Sequence, residues 1–447
     1  MLKDAWTLAI EALSWIELQK LSERLALSKT AKQLNITDTS AKGLAHRLVY
    51  ETIRRKNYLD SLISYALRPH TIDDYELGLR AFLRLYVYKT SLERKGDTYR
   101  EAVEIVRMGR SILGWQTLQP IEQALGTLLN PQKDKVLEKL GDEEKVALQT
   151  YHLTWFVKYC FRLFGRNEAL RFLSSSQDFL PTYIRVNTLM VEEEKAIETL
   201  QREGVHVEKV RELSNVYRVV DTKRPLASTG GFKEGFFCVQ DMASCLAVEV
   251  AAPELDMTVF DVCGAPGSKT MHLATLMQNT GAIYSLDYSR RRMKAWRHSV
   301  TRGGAKNALP IIADARESLP FNKTANLVIL DPPCTSTGVF ARTPSAKWRL
   351  TQQSIPKMAE VQWSMLRNCA EKVAEGGWLV YSTYSISVEE NEMQIERFLR
   401  LYPEFRLVET KPWIGLPGLR GLTRCQRLYP HIHDCNGFFV AKLEREA

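Results

Sequence analysis

No apolar run in this chain approaches the roughly 20 residues that cross a bilayer, so a membrane-spanning protein is not expected. Cysteine is sparse: there are eight in 447 residues, and no two are spaced CxxC. Scattered thiols of this kind argue against a disulfide framework and read as reduced cysteines of a cytoplasmic protein. The start, MLKDAWTLAIEALSW, carries acids on a helical apolar period and does not read as a secretory leader. There is no internal repeat and no low-complexity tract. Two nucleotide signatures are also missing. A P-loop would need glycine at 263 and 268, where this chain has Cys263 and Ser268, and the G-x-G-x-x-G spacing of dinucleotide folds is absent.

Positive charge is present in excess. The formal net charge is +9 and the pI is about 9.0. A basic chain suggests a polyanionic partner, with nucleic acid first. The length predicts two or three domains.

Residues 1–135 read as an all-α bundle. Trp6, Ile10, Leu13, Leu18 and Leu21 recur at helical spacing, and TSAKGLAHRLVYETIRRKNYLDSLISYAL and DDYELGLRAFLRLYVYKTSL continue the pattern. Asp73 and Asp97 or Thr98 are expected N-caps. The cluster Arg54, Arg55, Lys56 is a candidate RNA contact or a solvated face. LNPQKDK reads as a linker. Residues 136–234 continue as helix and then as a small α+β subdomain, with strands in PTYIRVNTL, VHVEKV and VYRVV. Residues 235–447 alternate strand and helix: TVFDVC, AIYSLD, ALPIIAD, LVILD and GGWLVYST are the strands. Such alternation predicts a parallel sheet covered by helices on both faces.

In open α/β sheets, ligands bind beyond the carboxyl ends of the strands. The first end reads FDVCGAPGSKT. Gly264 and Gly267 would let backbone approach a small ligand, and Asp261 could hold an ammonium group. The second end supplies Asp287, suited to ribose hydroxyls. The third supplies Asp314, suited to an adenine amine. The fourth reads LDPPCTSTG, with Asp331, Pro332 and Cys334. Acids on consecutive strand ends, without a pyrophosphate loop, favour S-adenosylmethionine over a nicotinamide dinucleotide.

These motifs, in this order, resemble the Sun/Fmu (ribosomal RNA methyltransferase B-type) family of RNA cytosine methyltransferases. FDVCGAPGSKT, LDPPCTSTGVF, SVEENE and RLYPHIHDCNGFFVAKL carry the resemblance, and WFVKYCFRLFG, YIRVNTL and GFFCVQDMASCLA extend it upstream, over roughly residues 150–447. The first 135 residues resemble the NusB-type helical domain of some members. The resemblance implies a Rossmann-like methyltransferase domain, S-adenosylmethionine as cofactor and structured RNA as partner, ribosomal RNA ahead of transfer RNA. A monomer is expected. By motif position, Cys263, Gly264, Ala265, Pro266, Gly267, Ser268, Lys269, Asp287, Arg292, Asp314 and Asp331 would line the cofactor and target-base sites. CQRLYPHIHDC places Cys425, His431, His433 and Cys435 close together. A zinc site is conceivable there, but the family has a non-metal loop at this point, and no metal is expected.

One position departs from the family. Its pattern at 382–385 is S-T-C-S, and that cysteine attacks C6 of cytosine while a second cysteine, here Cys334, assists product release. This chain has Ser-Thr-Tyr384-Ser. A phenol with a pKa of about 10 cannot replace a thiolate in that addition. Three readings stay open. Cys334 could act as the nucleophile for C5 methylation. The chain could be inactive and bind RNA only. Or the target could be the exocyclic N4, with Asp331 and the Pro332 carbonyl holding the amine and Tyr384 stacking on a flipped base. The N4 reading is preferred.

Overall fold

The computed structural model describes residues 1–93 and 97–446. The chain forms two compact units: Met1–Asp178 with Phe340–Gln352, and Phe179–Val339 with Gln353–Ala447. The divisions expected near residues 135 and 235 both fall inside these units.

The first unit is helical. In the opening helix, Leu2–Gln19, Trp6, Ile10 and Leu13 are buried as their spacing predicts. Leu18 is exposed instead, because it lies five positions past Leu13, roughly 140° around the helix from that buried stripe. The long helix expected from Thr39 breaks at Arg55 into Thr39–Arg54 and Lys56–Ala66. Asp97 caps Thr98–Leu113 by accepting from the amides of Tyr99 and Arg100. Asp73 is not a cap: it lies within a short 3-10 turn, Ile72–Asp74, and Glu76 stands at the N-cap of the next helix, Leu77–Val87. The LNPQKDK linker gives way at Lys133 to a short helix, Lys133–Glu138.

The basic cluster needs correction. Arg54 is buried and donates to Glu51 and to the carbonyls of Gln177 and Ala341. Arg55 is bonded to Glu51, and Lys56 to Asp60 at 2.6 Å. The three cations are internal ion-pair partners, not a free RNA-facing patch. The segment Phe340–Gln352, far away in sequence, packs here as well. The Ser345 amide donates to Glu23, Trp348 Nε1 donates to the Ile53 carbonyl at 2.6 Å, and Lys347 Nζ donates to the Tyr151 carbonyl at 3.1 Å.

The second unit carries two sheets. The small one has the order β2-β3-β1-β4, where β1 is Thr182–Val186, β2 Val205–Lys209, β3 Val216–Thr222 and β4 Phe237–Val239. The large sheet contains β5 (Thr258–Val262), β6 (Ala282–Leu286), β7 (Ala308–Ile311), β8 (Ala325–Leu330) and β9 (Val373–Thr383). They run parallel in the order β9-β8-β5-β6-β7. The sheet is not wholly parallel. After β10 (Phe405–Val408), β11 (Leu416–Pro417) and β12 (Gln426–Leu428), the last strand, β13 (Phe438–Arg445), pairs antiparallel with β9, β10 and β12.

Residues alternate between the two faces of the sheet, as strand geometry requires. Phe260, Val262, Val328, Leu330, Leu379 and Tyr381 enter one core; Val259, Leu327, Ile329 and Val380 enter the other. Covering both faces leaves the strand ends as the place where polar side chains can gather. Among the described residues, no helix is long and apolar enough to cross a membrane.

Lys347 gives a stability test. Burial, with Arg54 and Arg55 nearby, holds its ammonium well below the usual lysine range. The folded chain therefore binds one proton fewer than the unfolded chain over a window that ends near the unfolded pKa of about 10.4. Through that window the lysine makes stability rise with pH. In urea melts, wild type should gain on Lys347→Met as pH rises toward about 10, with a slope of up to about 1.4 kcal/mol per pH unit.

Candidate active site at the strand ends

Because β5 to β9 are parallel, their carboxyl ends lie on one edge of the sheet. Asp261 is the penultimate residue of β5, Asp287 follows β6, Asp314 follows β7, Asp331 follows β8, and Tyr384 follows β9. The sequence reading therefore located these groups on one edge. How they are partnered is new.

The β5 turn is built around a buried carboxylate. Asp261 Oδ2 accepts from Thr270 Oγ1 at 2.5 Å and from Ser285 Oγ at 3.1 Å, and Thr270 accepts from Trp296 Nε1 at 2.9 Å. Asp261 Oδ1 is buried without a hydrogen-bond partner. Burial raises this carboxyl above its ordinary range; the two hydroxyls and Lys269 oppose that rise. Gly264 sits directly against the carboxylate: a Cβ there would lie 2.2 Å from Ser285 Oγ and 2.3 Å from Asp261 Oδ2. Cys263 and Gly267 take the left-handed conformation, with φ of 66° and 102°. Gly267 then starts the helix Ser268–Leu276. Burial pushes the Cys263 thiol up, so it is a neutral wall of the turn rather than a nucleophile.

The other acids already hold cations. Asp287 is buried, accepts from the Ser289 amide at 2.9 Å, and lies 2.9 Å from Arg292 Nη1. That approach is not aligned as a hydrogen bond, so Asp287 Oδ2 keeps unused acceptor capacity. Arg292 also donates to the Ala265 carbonyl, tying the second strand end to the first. Asp314 is chelated by Arg316 through Nε and Nη2, which lowers its pKa. Arg316 was not anticipated; a basic residue two positions beyond a strand-end acid was the signal.

Asp331 is the meeting point of two ends. Lys269 Nζ donates to its Oδ2 at 2.6 Å and Ser382 Oγ to its Oδ1 at 3.3 Å. The Lys269 ammonium lies 5.9 Å from the centre of the Tyr384 ring, and that half-buried ring packs edge-on against Phe438 at 4.9 Å. Burial, with Asp241 and Asp331 nearby, raises the Tyr384 phenol well above its usual range, opposed by a hydrogen bond with Ser244. Pro332 is buried and Pro333 exposed. The Cys334 thiol is pushed up to about 12 by burial and by the nearby charges of Glu390 and Asp331; backbone hydrogen bonds from Ser336 and Tyr384 only partly offset this.

Glu390, part of the SVEENE stretch but given no role from sequence, organises both loops. Its carboxylate accepts from the Thr335 amide at 2.8 Å, Gln362 Nε2 at 2.8 Å, Ser385 Oγ at 2.5 Å, Ser387 Oγ at 2.9 Å and the Thr335 hydroxyl. The hint lay in TSTG and STYSIS: two hydroxyl-rich loops that must be buried together need a shared acceptor. The CQRLYPHIHDC segment is tied differently. His433 Nδ1 accepts from the Tyr429 amide at 2.9 Å, and Cys425 and Cys435 are buried. Among the described residues, no three His, Cys, Asp or Glu side chains are grouped to hold a metal.

A parallel sheet with an antiparallel β13 and a ring of strand-end acids defines a Rossmann-like methyltransferase domain. Residues 248–444 match the 16S rRNA methyltransferase RsmB/F family and residues 3–107 match the NusB family. The chain thus carries an RsmB/F-type RNA methyltransferase region over residues 248–444, with a NusB-type helical region before it. It is 29% identical to the "Probable ribosomal RNA small subunit methyltransferase B" of Bacillus subtilis, covering 98% of both chains. It is 32% identical to the 25S rRNA (cytosine-C(5))-methyltransferase nop2 of Schizosaccharomyces pombe, over 64% of this chain and 49% of that one. Among solved structures, PH0851 matches with a TM-score of 0.84 and 29% identity, over 100% of this chain and 99% of that one. NSun6 from Pyrococcus horikoshii, solved with the S-adenosylmethionine analogue SFG, matches with a TM-score of 0.61 and 26% identity over 65% of this chain and 97% of that one.

The β5 turn makes a direct prediction. Gly264→Ala must displace Ser285 or the Asp261 carboxylate, both buried in a packed network. The expected loss is about 1–3 kcal/mol, typical of overpacking, measured by chemical denaturation.

Proposed function

We propose that the chain transfers methyl groups from S-adenosylmethionine to the exocyclic N4 of a cytosine in ribosomal RNA. The observation that carries the target atom is the absence of an available thiolate beside Asp331. The position that holds cysteine in the family pattern is Tyr384, whose phenol stays protonated. The remaining thiol beside it, Cys334, is pushed up to about 12 by burial and by Glu390 and Asp331, which disfavours its thiolate. Addition to C6 needs a thiolate; methylation of an amine does not.

The strand-end residues fit the cofactor. Asp261 Oδ1 and Asp287 Oδ2 are buried acceptors without an aligned donor. In this reading Asp287 takes the ribose hydroxyls, Asp314 the adenine amine and Asp261 the ammonium. S-adenosylmethionine supplies an electrophilic methyl group on a sulfonium centre. The chain supplies placement. Asp331, fixed by Lys269 and Ser382, accepts from the N4 amine with its remaining lone pairs, and the Pro332 carbonyl offers a second acceptor. Those hydrogen bonds orient the amine and draw off its positive charge as the new bond forms. Tyr384 gives the base an aromatic surface. Ribosomal RNA is preferred to transfer RNA as substrate because the Bacillus subtilis relative, matched over 98% of its length, is named for the small ribosomal subunit.

C5 methylation through Cys334 is the second reading. It draws on the two amides that bond the sulfur, which would favour a thiolate, and on relatives named as cytosine-C(5) enzymes.

The two readings separate cleanly. For N4, Cys334→Ala should keep substantial activity and Asp331→Ala should lose about 100-fold or more in kcat, as removal of a transition-state contact does. Tyr384→Phe should be milder than Tyr384→Ala. Nucleoside mass spectrometry should find an N4-methylated product, and RNA carrying 5-fluorocytosine should form no covalent complex. A covalent complex lost in Cys334→Ala would establish the C5 route instead. For the cofactor, Asp287→Ala should weaken S-adenosylmethionine binding by about 1.5–3 kcal/mol in calorimetry; unchanged affinity would remove the ribose from that strand end.

A further inference from the structure

The helix after Asp287, Arg290–Arg302, reads RRRMKAWRHSVTR: six cationic side chains and no acid. Met293, Trp296 and Val300 are its buried face. Arg292 turns inward to Asp287 and the Ala265 carbonyl, and Arg302 donates to the Phe232 carbonyl. The other four, Arg290, Arg291, Lys294 and Arg297, are exposed, and none has a hydrogen bond or ion pair with any described residue. Their spacing places them on the solvent side of the helix, where positions three and four apart are neighbours.

Folding alone does not account for this arrangement. Cations in the first turn oppose the helix dipole, and like charges three and four apart repel; both effects destabilise the helix. Elsewhere in this unit, some exposed cations, such as Arg316, Arg406 and Arg420, are paired with acids, and unpaired ones such as Lys195 and Arg211 stand singly. Here the repulsion is left uncompensated, which suits a surface completed by an external polyanion.

We propose that the outward face of Arg290–Arg302 is a docking surface for the phosphate backbone of the substrate RNA, separate from the base-modifying site. This rests on the reading of RNA as substrate and adds where the strand is gripped. The helix follows β6, whereas Asp331 and Tyr384 end β8 and β9. From β6 to β9 there are three strand spacings, or about 15 Å. One nucleotide cannot serve both places. The RNA must reach from the base site past the cofactor rim, so the site selects a folded or extended RNA over a free nucleoside.

The test uses the full chain with Arg290→Gln, Arg291→Gln, Lys294→Gln and Arg297→Gln combined, and a small-subunit ribosomal RNA transcript as probe. S-adenosylmethionine affinity, measured by calorimetry, should match the parent and so report an intact fold. RNA affinity should fall at least tenfold near physiological salt. The slope of log affinity against log salt should become shallower by about 3, the value for four lost phosphate contacts. Activity should fall through KM with kcat retained. Unchanged RNA affinity and salt slope, with the parent binding normally, would overturn the docking surface alone. A parent that binds no RNA with any salt dependence would overturn the RNA reading itself. Loss of binding to phosphatidylserine vesicles with RNA binding intact would give the face to a membrane surface and overturn the proposal.

Discussion

The site depends on one buried carboxylate. Glu390 is inaccessible to water and accepts hydrogen bonds from the loops that follow β8 and β9. An unpaired charge at such a depth would cost several kcal/mol; a fully satisfied one becomes a rigid junction. Through Thr335 it fixes the turn after Cys334, and through Ser385 and Ser387 the turn after Tyr384. The Gly338 amide closes the same junction on the Tyr384 carbonyl at 2.9 Å. None of these bonds uses the side chain at 384. The junction therefore holds the loop through its backbone and hydroxyls, independently of the Tyr384 ring.

The large sheet was legible because its signals are local. Alternating strand and helix patterns and acids at strand ends depend on short stretches of chain, and Asp261, Asp287, Asp314 and Asp331 fall on one edge. The partners of those acids were harder to see. Lys269 meets Asp331 across 62 positions of sequence, and Ser382 meets it across 51. Nothing in either segment alone specifies the other. The same limit explains Arg54, where a run of three cations reads as a surface patch. Its burial depends on the carbonyls of Gln177 and Ala341, which only the folded chain brings near. The antiparallel strands beyond β9 were partly hidden for another reason: β11 and β12 are too short to show a period.

The acids of the strand ends differ in a way that bears on what each can receive. Asp287, Asp314 and Asp331 each face a cation: Arg292, Arg316 and Lys269. A carboxylate so paired has little unbalanced charge but keeps lone pairs, so it suits neutral donors such as hydroxyls and amines. Asp261 is different. It is bonded only by neutral hydroxyls, one oxygen has no partner, and burial raises its pKa. A cation brought to that oxygen would relieve the cost of the buried charge and lower the carboxyl back toward its ordinary range. Under the proposed function this sorts the groups by physics alone. The ammonium goes to Asp261, the ribose and adenine go to the first two ion-paired acids, and the cytosine amine goes to Asp331. The base to be methylated is then held by hydrogen bonds to an acceptor whose charge is already balanced, so a neutral base is not drawn into protonation before its amine is used.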